Sequence, residues 1–318
     1  YIILFPQLIA GPIVRYYEIK DQIKERKHSL IKFSSGVSRF AFGLGKKVLI
    51  ANVLGEYSEE VFLIPIDKLD LVTVWAGASL YAFQIYFDFS GYSDMAIGLA
   101  KMMGFRFPEN FNFPYISQSI TEFWRRWHIT LSNWMRDYLY IPLGGNRVSK
   151  SRLYINLSVV FLISGFWHGA AWTFIFWGGF HGLFLILDRL FLLDFLKKIG
   201  KVPAVILTYL IVLIGWVFFR SETVGEAFQY CWKMFAFDFS SPGIFIPNKF
   251  YVYLLLGFLI AFSGIIGRVE KTAQEWYENV QINTLFLIGK STVSVVLFWW
   301  CLIEIFGSEF NPFIYFKF

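Results

Sequence analysis

Four histidines are the residues of this chain best suited to moving a proton near neutral pH: His28, His128, His168 and His181. His28 stands among Lys24, Arg26 and Lys27 and reads as part of a solvated loop. The other three fall in apolar sequence, where ionisable groups are costly and usually functional. His168, in SGFWHGAAW, lies 16 residues beyond Arg152. That is about 24 Å along a straight helix, too deep for a snorkelling loop residue. A neutral imidazole there can serve as a general base. A core histidine bonded to a carbonyl would have the same sequence surroundings, and residue chemistry alone weighs the two equally. His128 follows Trp127, with Arg125 and Arg126 placed to orient anionic groups; a site at the lipid headgroups is the plain alternative. His181, in GGFHG, suits packing between glycine-rich helix faces at least as well as chemistry.

Carboxylates come next. Asp88 and Asp94, in QIYFDFSGYSDMAIG, are placed at the end of one span and the start of another, with Gly91 as the turn and an aspartate as a helix cap. They could instead line a polar cavity. No phosphate loop, no GxGxxG, no HExxH and no GxSxG elbow occurs. His168 and His181 lack a third metal ligand at suitable spacing, so no metal site is expected. Cys231 and Cys301 lie beside aromatic residues and read as apolar filler.

The elements that must hold these residues are those of a membrane protein. Of the 318 residues, 56% are hydrophobic, 21% aromatic and only 16% charged, with a mean hydropathy of +0.52. Disorder, a coiled coil and collagen are excluded, and too few charges remain to cover a soluble surface. The net charge of +6 is scattered through short loops rather than along one stripe, so no nucleic-acid partner is expected. Leu71–Phe87, Val202–Phe219, Phe250–Gly267 and Ile282–Ile303 are each long enough for one span. Leu153–Leu187 runs 35 residues without an acid, Lys or Arg, about 52 Å as one helix, and so is expected to fold back, with Gly165, Gly169 or Gly178–Gly179 as breaks. Basic residues flank both of its ends: Arg147, Lys150 and Arg152 before, Arg189, Lys197, Lys198 and Lys201 after. With the Arg15–Lys32 loop, these are assigned to the cytoplasm, and Arg220–Lys249, with Pro242, Gly243 and Pro247, to the outside.

Three stretches fit no simple span. Phe5–Ile13 carries Pro6, Gly11 and Pro12 and reads as broken or re-entrant. Lys32–Glu56, with Lys46 and Lys47, is placed at the membrane interface. Ser117–Leu143 shows Ile120, Phe123, Trp124, Trp127, Leu131 and Trp134 at helical spacing. Between them stand Glu122, Arg125, Arg126, His128, Arg136 and Asp137. It is expected to form one amphipathic interfacial helix, capped by Ser119 or Thr121, with Glu122 pairing to Arg125 and Arg126.

Five blocks, in order, carry a resemblance. They are FPQLIAGPIVRY (Phe5–Tyr16), YFDFSGYSDMAIGLAKMMGFRFPENFNFPY (Tyr86–Tyr115), FWRRWHITLSNWMRDYLYIPLGGNR (Phe123–Arg147), FWHGAAWTFIFWGGFHG (Phe166–Gly182) and FNPFIYFKF (Phe310–Phe318). The chain resembles the membrane-bound O-acyltransferase family, most of all its bacterial alginate O-acetyltransferase branch. The resemblance implies an all-α, multi-pass protein of the bacterial inner membrane, with re-entrant and interfacial helices around a central tunnel. Residues 1–318 would be the larger, C-terminal part of a single domain, with further spans before Tyr1. It also implies transfer of an acyl group, acetyl above all, from a cytoplasmic donor to hydroxyls outside. The donor would be acetyl-CoA or an acyl-carrier thioester, brought as co-substrate with no bound cofactor. The implied partners are membrane lipid, a carrier protein, an accessory periplasmic or extracellular O-acetyltransferase and an exopolysaccharide such as alginate.

The family's invariant histidine falls on His168 and a second important one on His128; His181 matches the branch without a clear role. A base and its neighbours then follow: His168 removing the hydroxyl proton, His128 orienting the donor or sharing the proton, and Trp127, Trp167 and Trp172 excluding water. Arg125, Arg126, Asp88 and Asp94 would support them. The teichoic acid D-alanylating relatives share the RWH and WHG blocks but lack YLYIPLGGNR, which favours O-acetylation. D-alanyl transfer and peptidoglycan O-acetylation stay open within the same fold. A transporter or flippase without chemistry is the alternative from another class, since broken apolar segments mark transporters too.

Overall fold

The structure, a computed structural model, describes residues 1–239, 248–278, 284–307 and 313. These residues build helices, as expected, and no strand occurs among them. In chain order the helices are α1 (Tyr16–Lys24), α2 (Leu30–Gly45), α3 (Asn52–Phe62), α4 (Leu71–Met102), α5 (Ile120–Arg126), α6 (Ile129–Met135) and α7 (Lys150–His168). They continue with α8 (Trp172–Leu187), α9 (Leu193–Ile199), α10 (Lys201–Arg220), α11 (Val224–Lys233), α12 (Asn248–Phe262), α13 (Gly267–Glu278) and α14 (Thr284–Gly307). By length and composition, α10 and Ile288–Gly307 of α14 can cross a membrane; Tyr251–Ile265 with Gly267–Ala273, bent by 96°, would make a third. Pro242, Gly243, Pro247, the start of the Ile282–Ile303 run and the closing block apart from Phe313 lie outside the described residues.

The central wall is α4, whose 32 residues run unbroken through Asp88, Gly91 and Asp94. The expected turn at Gly91 is therefore wrong, and Leu71–Phe87 is the first half of a longer helix. Asp70, not Asp88 or Asp94, caps it, accepting from the Thr73 amide at 2.7 Å. The physical role of Gly91 is close approach. A Cβ there would lie 2.7 Å from the Gly43 carbonyl oxygen, and one on Gly98 would lie 2.7 Å from that of Gly36. Small residues thus let α2 run antiparallel against α4.

This also corrects the interfacial placement of Lys32–Glu56. That stretch is α2, a wide helical turn at Lys46–Ala51 and α3, with one face packed on α4 and Phe33 and Val37 exposed on the other. Its cations are tolerated because α4 supplies their counter-charges. Arg39 donates to Asp94 from Nε at 3.1 Å and Nη2 at 2.8 Å; Lys46 reaches the other Asp94 oxygen at 2.6 Å; Lys47 lies 3.2 Å from Asp88. Buried charges survive only when paired and hydrogen-bonded.

The 35-residue run folds back as expected, and the break falls at Gly169–Ala171. Ser149 caps α7, and α8 returns beside it. A Cβ on Gly165 would lie 2.3 Å from the Phe174 carbonyl oxygen, and one on Gly178 2.3 Å from that of Phe161. The two helices therefore touch backbone to backbone near the hairpin tip. Next, α10 packs on α8, Gly215 lying against the His181 ring. Hydrogen bonds from Leu71 to Asp238, Tyr230 to Val74 and Trp75 to Met234 tie the α11 region to the start of α4.

Ser117–Leu143 is not one amphipathic helix. It is α5, a break at Trp127–His128, α6 and a wide turn at Arg136–Tyr140. Ile120, Phe123, Trp124 and Trp127 are buried in the aromatic core rather than laid on a membrane surface. Ser119 caps α5 by accepting from Glu122 N at 3.1 Å, while Thr121 donates to Asp188 from backbone and hydroxyl. Glu122 pairs with Arg126 at 2.8 Å. Arg126 also meets Glu270 of α13 at 3.1 Å, and Arg125 is exposed.

Candidate active site

His168 is the last residue of α7, at the tip of the α7–α8 hairpin and half-buried there. Its depth along the helix brings it to the turn instead of the middle of a span. Rings that pack against it include Trp167 at 4.9 Å, Trp177 at 5.0 Å and Phe219 at 5.3 Å between centroids. Trp172, expected to wall this histidine, is instead 72% exposed. Trp177 of α8 and Phe219 of α10 pack against the ring from neighbouring helices. Sequence reasoning passed over both, since nothing in the spacing distinguishes them from other aromatic residues of these helices.

His128 sits in the break between α5 and α6, with φ 42° and ψ 53°, a left-handed conformation uncommon outside glycine. Local strain of this kind needs surrounding structure to hold it. Residues 110–112 supply it: Ile129 N donates to Asn110 O and Asn112 N to Arg126 O, each at 2.9 Å. His128 is buried, edge-on to Phe89 at 4.7 Å, and its Nδ1 lies 3.1 Å from Asn110 Oδ1. An aromatic chain joins this imidazole to that of His168. Trp127 meets Trp216 at 4.8 Å, Trp216 meets Phe219 at 5.6 Å, and Phe219 meets His168.

His181 lies one layer away, wholly buried against Phe123, Trp124 and Trp177. Neither ring nitrogen has a hydrogen-bond partner among the described residues. This is the environment of a packed ring, joined to His168 through their shared neighbour Trp177.

Cavities approach this core from two directions. One, of about 870 Å³, is lined by Arg39, Lys46, Ser90, Asp94, Glu109 and Asn110 among others. It thus touches the residue that holds His128. Its charges balance, since Arg39 and Lys46 meet Asp94 and Glu109. A second, of about 410 Å³, is lined by Tyr81, Gln84, Phe174, Phe219, Arg220 and Glu222, and so reaches a ring that touches His168. Both lie along α4, the first beside residues 86–97 and the second beside residues 81–84. Asp94 therefore lines a cavity, though one whose wall is mostly apolar and aromatic, whereas Asp88 is a buried ion-pair partner of Lys47. Phe5–Ile13 is irregular beyond a single short turn, as expected, and Ile13 N donates to Thr130 Oγ1 at 3.0 Å.

The arrangement joins two imidazoles through one aromatic wall, with a cavity reaching a neighbour of each. Comparison with known proteins gives the family. Residues 1–220 match the model described as MBOAT, membrane-bound O-acyltransferase family. The protein named "Probable alginate O-acetylase AlgI" in Azotobacter vinelandii is 50% identical over 242 residues, covering 76% of this chain and 47% of that protein. Its namesake in Pseudomonas putida is 40% identical over 343 residues, covering 100% of this chain and 68% of that one. A peptidoglycan O-acetyltransferase of Helicobacter pylori is 43% identical over 238 residues, covering 72% and 44%. The chain thus spans about half the length of the Azotobacter relative.

Proposed function

The chain belongs to the membrane-bound O-acyltransferase family, and from that premise we propose that it transfers an acetyl group from a thioester donor on the cytoplasmic side to hydroxyls of an extracytoplasmic polysaccharide. The observation that carries this reading is the aromatic chain of Trp127, Trp216 and Phe219 that joins His128 to His168, with one cavity reaching Asn110 beside His128 and another reaching Phe219 beside His168. In it, His168 removes the proton of the acceptor hydroxyl as the oxygen attacks the thioester carbonyl. The carbon–sulfur bond then breaks, and the proton leaves with the thiol. General-base catalysis of this kind contributes typically about 10²–10⁴-fold. His128 shares the proton traffic.

The larger cavity suits the donor. Its balanced charges and aromatic lining favour an uncharged, extended thioester arm over a free anion. The smaller cavity, beside Arg220 and Glu222, suits the hydroxyl acceptor. The basic ends of α7 and α10, at Lys150, Arg152 and Lys201, are assigned to the cytoplasm, which puts the His168 tip toward the opposite face. Trp177, Phe219, Trp216 and Trp127 keep water from the thioester and limit hydrolysis. The names of the alginate and peptidoglycan relatives support acetyl as the group moved and a polysaccharide as the acceptor. A carrier protein and an accessory transferase outside the membrane belong to the same reading.

Linkage analysis of O-acetyl groups on the host's exopolysaccharide and wall, with and without the gene, tests it. Loss of O-acetyl from one polymer is expected. Unchanged acetylation of both polymers, with a transported solute lost instead, would replace the enzyme by a transporter.

A further inference from the structure

Asn110, beside His128, is 1% exposed and uses both ends of its amide. Its Nδ2 donates to Ser93 Oγ at 3.0 Å. Its Oδ1 faces His128 Nδ1 at 3.1 Å, Thr130 Oγ1 at 2.9 Å and Thr130 N at 3.3 Å. The amide cannot be turned round. The Thr130 backbone N–H can only donate, so it needs Oδ1 opposite it. Thr130 Oγ1 accepts from Ile13 N at 3.0 Å, which leaves its hydroxyl hydrogen for Oδ1 as well. A flipped amide would set NH₂ against an N–H and abandon these bonds in a buried site, where unmade hydrogen bonds are costly.

A carboxamide oxygen carries no hydrogen, so the proton between Asn110 and His128 belongs to His128 Nδ1. From this, and resting on the acyl-transfer reading above, we infer that Asn110 is a positioning residue that holds His128 in the Nδ1–H tautomer. The neutral imidazole then presents Nε2 to the reaction as a proton acceptor. The backbone reinforces the assignment, because the Asn110 carbonyl also accepts from Ile129 N and fixes the left-handed turn at His128. Neutral His128 is consequently unable to donate a hydrogen bond to a developing oxyanion from Nε2. It takes a proton first, from the acceptor hydroxyl by way of His168. A bond of this kind fixes both ring tautomer and orientation.

The test uses the detergent-solubilised full protein in two ways. Nitrogen NMR with ¹⁵N-histidine, the His128 signals identified by their loss in His128→Ala, should show Nδ1 protonated and Nε2 bare. A protonated Nε2 with bare Nδ1 overturns the inference whatever the activity. Acetyl transfer, normalised to inserted protein, is then measured for Asn110→Ala, His128→Ala and the double variant. Asn110→Ala should lower kcat with little change in KM. It should cost nothing further once His128 is gone. A merely structural Asn110 would lower protein level, and its effect would multiply with that of His128→Ala. Full activity of His128→Ala would remove the role given to His128 while the NMR result still judges the tautomer. Loss in His128→Ala beside full activity in Asn110→Ala would overturn the inference alone. Should Asn110→Ala fail to insert, the wild-type NMR result decides.

Discussion

Replacing Gly165 with Ala should disable the site without touching a histidine. A Cβ at Gly165 would stand 2.3 Å from the carbonyl oxygen of Phe174, with the Gly178 Cα at 3.4 Å. Ordinary contact needs about 1 Å more. Backbone cannot rotate away as a side chain can, so α7 and α8 must separate by about that distance. Overpacking of this order costs about 1–3 kcal/mol. His168 follows only three residues later on the same helix, so the separation is transmitted to its ring contacts with Trp177 and Phe219. A displacement near 1 Å at a reacting group can cost about 10²-fold. The comparison is Gly179→Ala in the same hairpin, where the nearest atom, Leu162 Cδ2, lies at 3.7 Å and has ordinary contact. The assay is O-acetyl content per inserted protein. Gly165→Ala should fall by about 10²-fold and Gly179→Ala should stay near wild type. Equal activity in the two variants would refute the link between hairpin closure and the site.

Asp94→Ala should leave buried Arg39 and half-buried Lys46 without their shared carboxylate and cost about 3–5 kcal/mol, read as loss of inserted, heat-resistant protein. The two arginines of RRWH should separate. Arg126→Gln, which breaks contacts to Glu122 and Glu270, should lower stability, whereas Arg125→Gln should keep protein level and weaken activity in a way that more donor restores. Equal thermal stability of the two would contradict this division. A cysteine at Ser149 should be shielded from an impermeant reagent in intact cells and one at Glu222 labelled; the reverse pattern would invert the proposed orientation.

The hairpin was legible because its apolar run is too long for one crossing and carries glycines at the contact. The helical character of the chain and the irregular Phe5–Ile13 were legible on similar grounds, from composition and from proline and glycine. The break at Trp127–His128 was not. Apolar spacing continues on both sides of it, and the turn is imposed by residues 110–112 from elsewhere in the chain. The pairing of Lys46 and Lys47 was hidden because their partners, Asp94 and Asp88, lie 48 and 41 residues away. A cation beside glycines looks interfacial until its counter-charge is known. The placement of Asp88 and Asp94 at a turn failed for the same reason. Gly91 suggested conformational freedom, whereas its use is to admit the Gly43 backbone. Trp177, Phe219 and Asn110 become distinctive only through contacts with residues distant in the chain. Asn110 offered one signal, an amide among aromatic residues in FPENFNFPY.

The central claim is that His168 is the base. It is tested most directly by acetyl transfer from a thioester donor, per inserted molecule, in His168→Ala. The account predicts activity at or below about a hundredth of wild type, the lower end of what a general base supplies, at unchanged protein level. A variant that keeps more than about a tenth of wild-type transfer would contradict it, since removing a general base costs at least about 10²-fold.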